Sequence, residues 1–599
     1  MAADFRAGQT ELEAGRTQLR KANADRNAAE LAGAKDHFKA AATHFAAAPP
    51  RLRSNLLISM SQFIPGAHDY VGQRVKAVDE ISAMGVDLAQ AAQEGVDLNA
   101  TFLQDSGGGG ITKLVPILKQ ASPAIDRLKQ HLKAAEASAA LIDLNSLTSA
   151  QRATVVTARG TVDKGLASIN DLIRLLPAAV EILGGNGPRT YLIEQVDPAE
   201  LRSGGGFIGT YSILSADQGS LKLVRSGSID SIDSPRPKLG QRGYIAPPPA
   251  LRELIGDTGW TLEDSNWFAD FASSAQAGET LLEHQLGIKA DGVIAIDPST
   301  IADLLAITGP LAIPGFKVTV KSEGFVADLF QIEESANRKA NRKDFIAQIA
   351  NQLFTKLSEL PSAKLPQLVD AMNKAAQTRH LQAYFNNPQA ETQMDTYGWS
   401  GAVNPTRSTN FFLENEANLG ATVANFYVQR SYEMTAQRTA SGIHIDVTVT
   451  LTDNTPVNFP GGSQYRGYVR FYVGRSATGL KTSSLEAKNY LRTDIPAGTL
   501  STDGWFVVTV NSSTRTGIRR FTFSFDLPWS GAADNPQQLY WQKQPGTGID
   551  TVKVNWSNNG QTYTASGDLA YDRLIEFDAK AVNLGAGQAA SAHLPSLSL

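Results

Sequence analysis

The stretch Asp197-Pro-Ala-Glu-Leu-Arg-Ser-Gly-Gly-Gly-Phe-Ile-Gly-Thr-Tyr211 governs the reading of this chain. An acid and a base, Glu200 and Arg202, stand directly before a glycine run that opens an apolar strand. Glycines admit positive φ and let another group approach the backbone closely. A guanidinium beside such a run is chemically suited to hold an anion. The same residues also suit a tight corner closed by a local salt bridge or cap. Both readings stand at this point.

Ahead of this stretch, residues 1–185 read as a helical bundle. Runs such as Glu30-Leu-Ala-Gly-Ala-Lys-Asp-His-Phe-Lys-Ala-Ala-Ala have high helix propensity, and Pro49-Pro50 is expected to end the first segment. Further helices are expected over about 51–95, 111–142 and 148–183, set apart by Gly107–Gly110 and Asn145–Ser149. Val162, Leu166, Ile169, Leu172, Ile173 and Leu176 recur at spacings of three and four and form one apolar face. Pro177 is expected to kink or end that helix.

Residues 186–397 alternate strand and helix. Strands are expected around Thr190–Glu194, Phe207–Leu214, Ser220–Arg225 and Asp291–Asp297. Helices are expected over Trp267–Leu286, over Pro298–Ile307, and from about 323 to 385. Asn266 and Asp270 fall at a helix start, and Asp291 and Asp297 read as caps at the ends of a buried strand. From 398 to 580, about seven short β-branched and aromatic stretches with turn signals between them predict an antiparallel β-sandwich. Residues 581–599 read as a flexible tail. The fold class is therefore multidomain α+β: a helical bundle, a central α/β sandwich and a C-terminal β-sandwich.

Composition removes several kinds of chemistry. The chain of 599 residues has no cysteine, so disulfides, thiol catalysis and thiolate metal sites are excluded. Its formal net charge of -4 supplies no general attraction to nucleic acid. No phosphate-binding Gly-x-x-x-x-Gly-Lys loop, Gly-x-Ser-x-Gly elbow, His-Glu-x-x-His pair or calcium loop occurs, and the eight histidines lack ligand spacing. Zinc, haem and a nucleotide cofactor are not expected. No apolar run reaches the roughly 18 residues that span a bilayer.

Acids and bases gather in the α/β region: Glu200 and Arg202, then Arg225, Asp230, Asp233 and Arg236, and later the basic run Asn337–Asp344. On a helix Arg338 and Arg342 are four apart and share a face, where an anion or nearby acids would relieve their repulsion. Asp197–Tyr211, Asp264-Ser-Asn-Trp-Phe-Ala-Asp-Phe271, Asp291–Pro298, Thr308–Gly315, Asn418-Leu-Gly420 and Gln542-Lys-Gln-Pro-Gly546 together resemble the domain of unknown function 4012 family. That resemblance implies a bacterial, extracytoplasmic protein at the cell surface, anchored by an N-terminal transmembrane helix not present here.

Residues 188–358 also resemble the LytR-CpsA-Psr family, whose members move glycopolymers from a polyprenyl pyrophosphate lipid onto the cell wall. The resemblance implies that Arg202, Arg225, Arg338 and Arg342 bind pyrophosphate. It further implies a magnesium ion on acidic ligands, with Glu200, Asp230 and Asp233 as the acids available for catalysis. The metal ligands themselves are not assigned. That family pairs an arginine with an aspartate two residues on, whereas Arg202 is followed by Ser203-Gly204. Two functions remain open: binding or transfer of a lipid-linked glycopolymer through an arginine-rich cleft, as a phosphotransferase where catalytic, or a non-catalytic surface protein on a degenerate α/β scaffold, with structural, adhesion or binding duties. The partners implied are a lipid-linked glycan or cell-wall polysaccharide and the membrane, and no nucleic acid.

Overall fold

The computed structural model describes residues 2–25, 28–54, 67–103, 113–313, 316, 318–334, 342–361, 364–404, 406–459, 464–487, 495–529 and 535–587. The chain divides into two compact units, one containing Met1–Glu181 and the other Ile182–Leu360 and Lys364–Leu594.

The first unit is helical: Ala2–Asp25, Ala28–Arg53, Ala67–Leu103, Leu114–Leu141 and the helix beginning at Ser149. Val162, Leu166 and Ile169 are buried against Ile125, Leu128 and Leu132 and against Met84, Ala91 and Leu98, so the predicted apolar stripe is the core-facing one. Two helix ends differ from expectation. The second helix continues past Pro49-Pro50 to Arg53, with Ala48 and Leu52 buried beside them. The last continues through Pro177 to Ile182, while Leu172, Ile173 and Leu176 pack on the core. Side-chain burial on both sides of each proline outweighs one lost backbone bond. The Gly107–Gly110 separator lies outside the described residues.

The second unit opens with a five-stranded mixed sheet in the order β3-β2-β1-β4-β7. Its strands are β1 (Arg189–Asp197), β2 (Phe207–Asp217), β3 (Ser220–Ser228), β4 (Gly292–Ile296) and β7 (Leu381–Phe385). β1 and β4 run parallel, and the other neighbours are antiparallel. The Phe271–Leu286 helix puts Phe271, Ala275, Leu281 and Leu282 against Leu192, Val196, Ile208 and Val293. It begins after Asp270, whose carboxylate accepts from Ser273 N, and ends at Gly287 in the left-handed conformation. The Arg342–Ser358 helix lies on β3 and β2. The expectation of helix up to 385 fails at β7, a fully buried strand without β-branched residues whose state is set by pairing with β4. A small hairpin of β5 (Leu311–Ile313) and β6 (Val318–Val320) and the Leu365–Gln377 helix complete this region.

Two six-stranded sheets follow. One has the order β12-β14-β10-β9-β16-β17 and the other β13-β11-β8-β15-β18-β19. The strands are β8 (Phe411–Asn418), β9 (Val428–Arg438), β10 (Gly442–Asp453), β11 (Gln464–Gly474), β12 (Thr478–Ser483), β13 (Thr499–Thr509), β14 (Gly517–Pro528), β15 (Gln537–Gln542), β16 (Thr551–Asn558), β17 (Gln561–Asp568), β18 (Arg573–Phe577) and β19 (Val582–Ala586). Val447, Phe523 and Val554 of the first sheet share one core with Phe412, Phe471 and Trp541 of the second. The sandwich is antiparallel-rich with two parallel pairs, β8 with β15 and β9 with β16. They arise because β8–β9 and β15–β16 each step from one sheet to the other. Part of the expected flexible tail is ordered: β19 pairs with β18, while residues 588–599 lie outside the described residues.

Candidate functional site

The glycine segment lies in a buried polar seam that joins the mixed sheet to the sandwich. Gly205 and Gly546 meet backbone to backbone: a Cβ on Gly546, at φ 76°, would sit 1.8 Å from Gly205 O. A Cβ on Gly206 would sit 2.3 Å from the Asp197 carbonyl carbon. The glycines are therefore needed for close chain approach. Around them, Gly204 N donates to Asn266 O (3.1 Å) and Asn266 Nδ2 donates to Gly206 O (2.6 Å). Asn418 N donates to Leu201 O (2.8 Å), and Asn415 Nδ2 donates to Ser203 O (3.1 Å). Gln544 uses its amide as a spare peptide group, accepting from Glu416 N (2.8 Å) and donating to Glu416 O (2.6 Å). Segments far apart in sequence thus serve one purpose, closing the backbone accounts of two sheets that end against each other.

Arg202 is the centre of this seam and is 2% exposed. Its NH2 donates to Glu200 Oε1 (2.7 Å), its NH1 donates to Asn418 O (2.9 Å), and its Nε lies at ion-pair distance, 3.5 Å, from Asp264 Oδ1. Burial works against the charge, but Glu200 and Asp264 outweigh it and hold the guanidinium above its ordinary pKa. Arg236 NH2 donates to the other Asp264 oxygen at 2.7 Å and also pairs with Glu263. A second buried pair crosses the seam: Arg379, which precedes β7, grips both oxygens of Asp572, which precedes β18. Tyr540 OH and Lys543 N donate to the same carboxylate.

The remaining predicted residues do not gather around Arg202. Arg225 is exposed on β3, opposite Ile213 of β2, with its guanidinium 5.8 Å from the Tyr211 ring. Arg202 stacks on Phe207 at the start of β2, so four strand residues, roughly 13 Å, separate the two ring contacts. Asp230 is exposed at the start of the Asp230–Asp233 turn of helix. Asp233 is 3% exposed, accepting from Glu263 N (2.7 Å) and Gln285 Nε2 (2.5 Å); burial raises it to about 6 against the pull of Gln285 and Arg236. Arg342 begins the helix lying on β3 and β2, and Arg338 lies outside the described residues. Glu200 is held by Arg202, Asp233 by its own donors, and Asp230 faces outward. These three do not fit as a common magnesium site. Among the described residues no group of three or more acids or histidines could hold a metal ion.

Where the parallel strands β1 and β4 end, a cleft of about 250 Å³ opens. In open α/β sheets this is the place where ligands bind. Its walls include Asp197, Asp297, His380, Val326, Phe426 and Thr547. Asp297 caps the Pro298–Thr308 helix as predicted, accepting from Ser299 N (2.9 Å) and Thr300 N (3.1 Å). Its second oxygen lies 2.5 Å from His380 Nδ1, which leaves Nε2 as the remaining polar atom of the ring. Beneath the wall, Lys543 Nζ donates to Thr547 O (2.5 Å), and burial lowers its pKa to about 8 against nearby Asp550, Asp297 and Asp572. His380 and Lys543 were missed from sequence, because 83 positions separate His380 from Asp297 and no local spacing signals the pair.

Fold and seam together define a two-lobed α+β unit, a mixed sheet joined to an antiparallel-rich sandwich and accompanied by a helical region. Residues 186–331 match the family model described as Protein of unknown function (DUF4012), the family that the sequence motifs resemble. The matched segment contains the glycine segment, Arg202 and Asp264, while their partners Asn418 and Gln544 lie beyond it. No curated protein and no solved structure matches the chain.

Proposed function

We propose that this chain is an extracytoplasmic bacterial envelope protein that binds a glycan without transferring it, its α/β region being a LytR-CpsA-Psr-like scaffold adapted to architecture. The observation that carries this reading is the state of Arg202. A pyrophosphate-binding arginine must offer its fork to the ligand. This one is 2% exposed and spends its donors on Glu200 and Asn418 O. The family resemblance supplies the ligand class and the membrane anchor. No helix among the described residues is long and apolar enough to cross a membrane.

A second reading, glycopolymer phosphotransfer, is favoured by one arrangement. Arg225 is exposed on β3, and the helix that begins at Arg342 lies on that strand. In this reading Arg225, Arg338 and Arg342 would hold the pyrophosphate, and Asp230, exposed just after β3, would be the acid available to the acceptor hydroxyl. The test is to incubate the full chain with a polyprenyl-pyrophosphate-linked glycan and with the delipidated glycan, with and without magnesium. Binding of both glycans, independent of magnesium and unchanged in Arg225→Ala, is expected. Magnesium-dependent release of polyprenyl phosphate that disappears in Arg225→Ala would establish the second reading instead.

A further inference from the structure

The cleft at the ends of β1 and β4 has the construction of a sugar site. Its polar wall is acidic and aromatic-rimmed, and it is distinct from the arginines considered above. Asp197 lines the cleft while accepting from Ala199 N (2.9 Å), Asp297 lies behind His380, and among the described lining residues His380 alone can carry positive charge, with Lys543 buried beneath. The polar atoms such a wall offers, the Asp197 carboxylate and the free ring nitrogen of His380, can accept hydrogen bonds from hydroxyl groups. Asp297 is 1% exposed and acts through His380, orienting the ring by its contact with Nδ1 so that Nε2 can meet a ligand hydroxyl. Thr547 holds its own place by donating to Gln544 O (2.9 Å).

The rim carries the second observation. Phe426 is 44% exposed, Val326 is 42% exposed, and Ile549, next to the lining residue Gly548, is 74% exposed. Two of these exposed apolar side chains, Phe426 and Val326, line the same cleft and give it an apolar edge. A half-exposed phenylalanine beside hydroxyl acceptors matches a pyranose or furanose ring. Such a ring presents an apolar C–H face to the aromatic and hydroxyl edges to the acceptors. The cleft volume of about 250 Å³ suits one ring with part of a neighbour rather than a long polymer segment.

We infer that this cleft binds one uncharged sugar residue of a glycan, stacked on Phe426 and hydrogen-bonded by His380 with Asp297 behind it. The inference rests on the glycan-binding reading and adds the site and the charge class of its ligand. The test uses saturation-transfer NMR on the full chain with methyl glucopyranoside, methyl galactopyranoside, methyl arabinofuranoside and inorganic pyrophosphate as probes. At least one neutral glycoside is expected to bind, with affinity reduced about tenfold in Phe426→Ala and in His380→Gln. Val224→Ala, on the edge strand β3, is expected to leave binding unchanged. Phe426 is partly in solvent, so its truncation keeps the fold, and an unchanged tryptophan spectrum checks this. Equal glycoside binding in wild type, Phe426→Ala and His380→Gln would overturn the site while leaving glycan binding intact. Binding of pyrophosphate but no glycoside, lost in His380→Gln, would overturn the ligand class. Absence of any glycoside or pyrophosphate signal would overturn the site, whereas polymer bound in the assay above would still support the functional reading.

Discussion

Replacing Arg202 by methionine separates an architectural arginine from a ligand-binding one. The substitution keeps approximate length and apolar stem but removes the donors to Glu200 Oε1 and Asn418 O and the charge beside Asp264. Asp264 keeps Arg236 at 2.7 Å, and Glu200, whose side chain is 16% exposed, can recover some water. The Asn418 carbonyl loses its charged donor inside the seam. A lost charge-assisted bond and a stranded buried acceptor together cost about 3–5 kcal/mol. The second compact unit has roughly 400 residues, so its unfolding entropy is about 0.8 kcal/mol per degree and Tm falls by about 4–6 °C. The assay is thermal unfolding followed by tryptophan fluorescence. All seven tryptophans, from Trp260 to Trp556, belong to this unit, so the helical unit is silent. Arg202→Lys is expected to fall between wild type and methionine, because one ammonium cannot reproduce the fork. A methionine variant within about 1 °C of wild type that has lost anion binding would falsify the architectural assignment.

The same fluorescence assay checks the other expectations. Gly546→Ala should destabilise by more than about 3 kcal/mol, since its Cβ falls on Gly205 O, whereas Gly548→Ala, with nothing within 4 Å, should be silent. Arg225→Ala, on an exposed strand position, should change stability by less than about 0.5 kcal/mol. Glu194 is fully buried, and burial raises its pKa from 4.5 to about 8, opposed only by the Ser265 hydroxyl. The folded state therefore holds a proton that the unfolded state releases, and stability falls as pH rises from about 4.5 to about 8. Glu194→Gln should match wild type near the lower limit and exceed it near pH 8 by on the order of 4 kcal/mol, read as a shift in urea midpoint. An equal midpoint difference at both pH values would show that Glu194 is not held neutral.

Much of the architecture was legible because it follows from local periodicity. The Val162–Leu176 stripe, β1 to β4, and the Asp297 cap needed only spacing and cap chemistry, whereas the helix expected from Trp267 begins at Phe271 behind the Asp270 cap. The failures share a cause in long-range pairing. β8 reads as Phe411-Phe-Leu-Glu-Asn-Glu-Ala-Asn418, a polar run with no alternation, yet every residue is buried. Its acids are tolerated because Tyr432 OH reaches Glu414 (2.8 Å), while Arg430 NH2 (3.0 Å) and Tyr465 OH reach Glu416. Those partners arrive from β9 and β11 and leave no mark in the sequence of β8. The site was misread for a related reason. Glu200 and Arg202 were visible as a pair, but whether they face a ligand or another lobe depends on Asn418 and Gln544, more than 200 and 300 positions away.

The polar character of the seam bears on how the cleft can be specific. An apolar junction would tolerate sliding, since burial has little directionality. Here the contacts are forks, amide pairs and crossed backbones: Arg379 on Asp572, Gln544 on both polar groups of Glu416, and Gly205 against Gly546. Each is satisfied in one register and leaves buried groups stranded in another. The cleft takes Asp197, Asp297 and His380 from the mixed-sheet side, and Phe426 and Thr547 from the sandwich side. Its two walls are therefore positioned by the bonds that consume Arg202. On this view the donors of Arg202 serve to hold the walls a fixed distance apart. A seam variant that still folds, such as Arg202→Lys, should then weaken glycoside binding without touching the ligand.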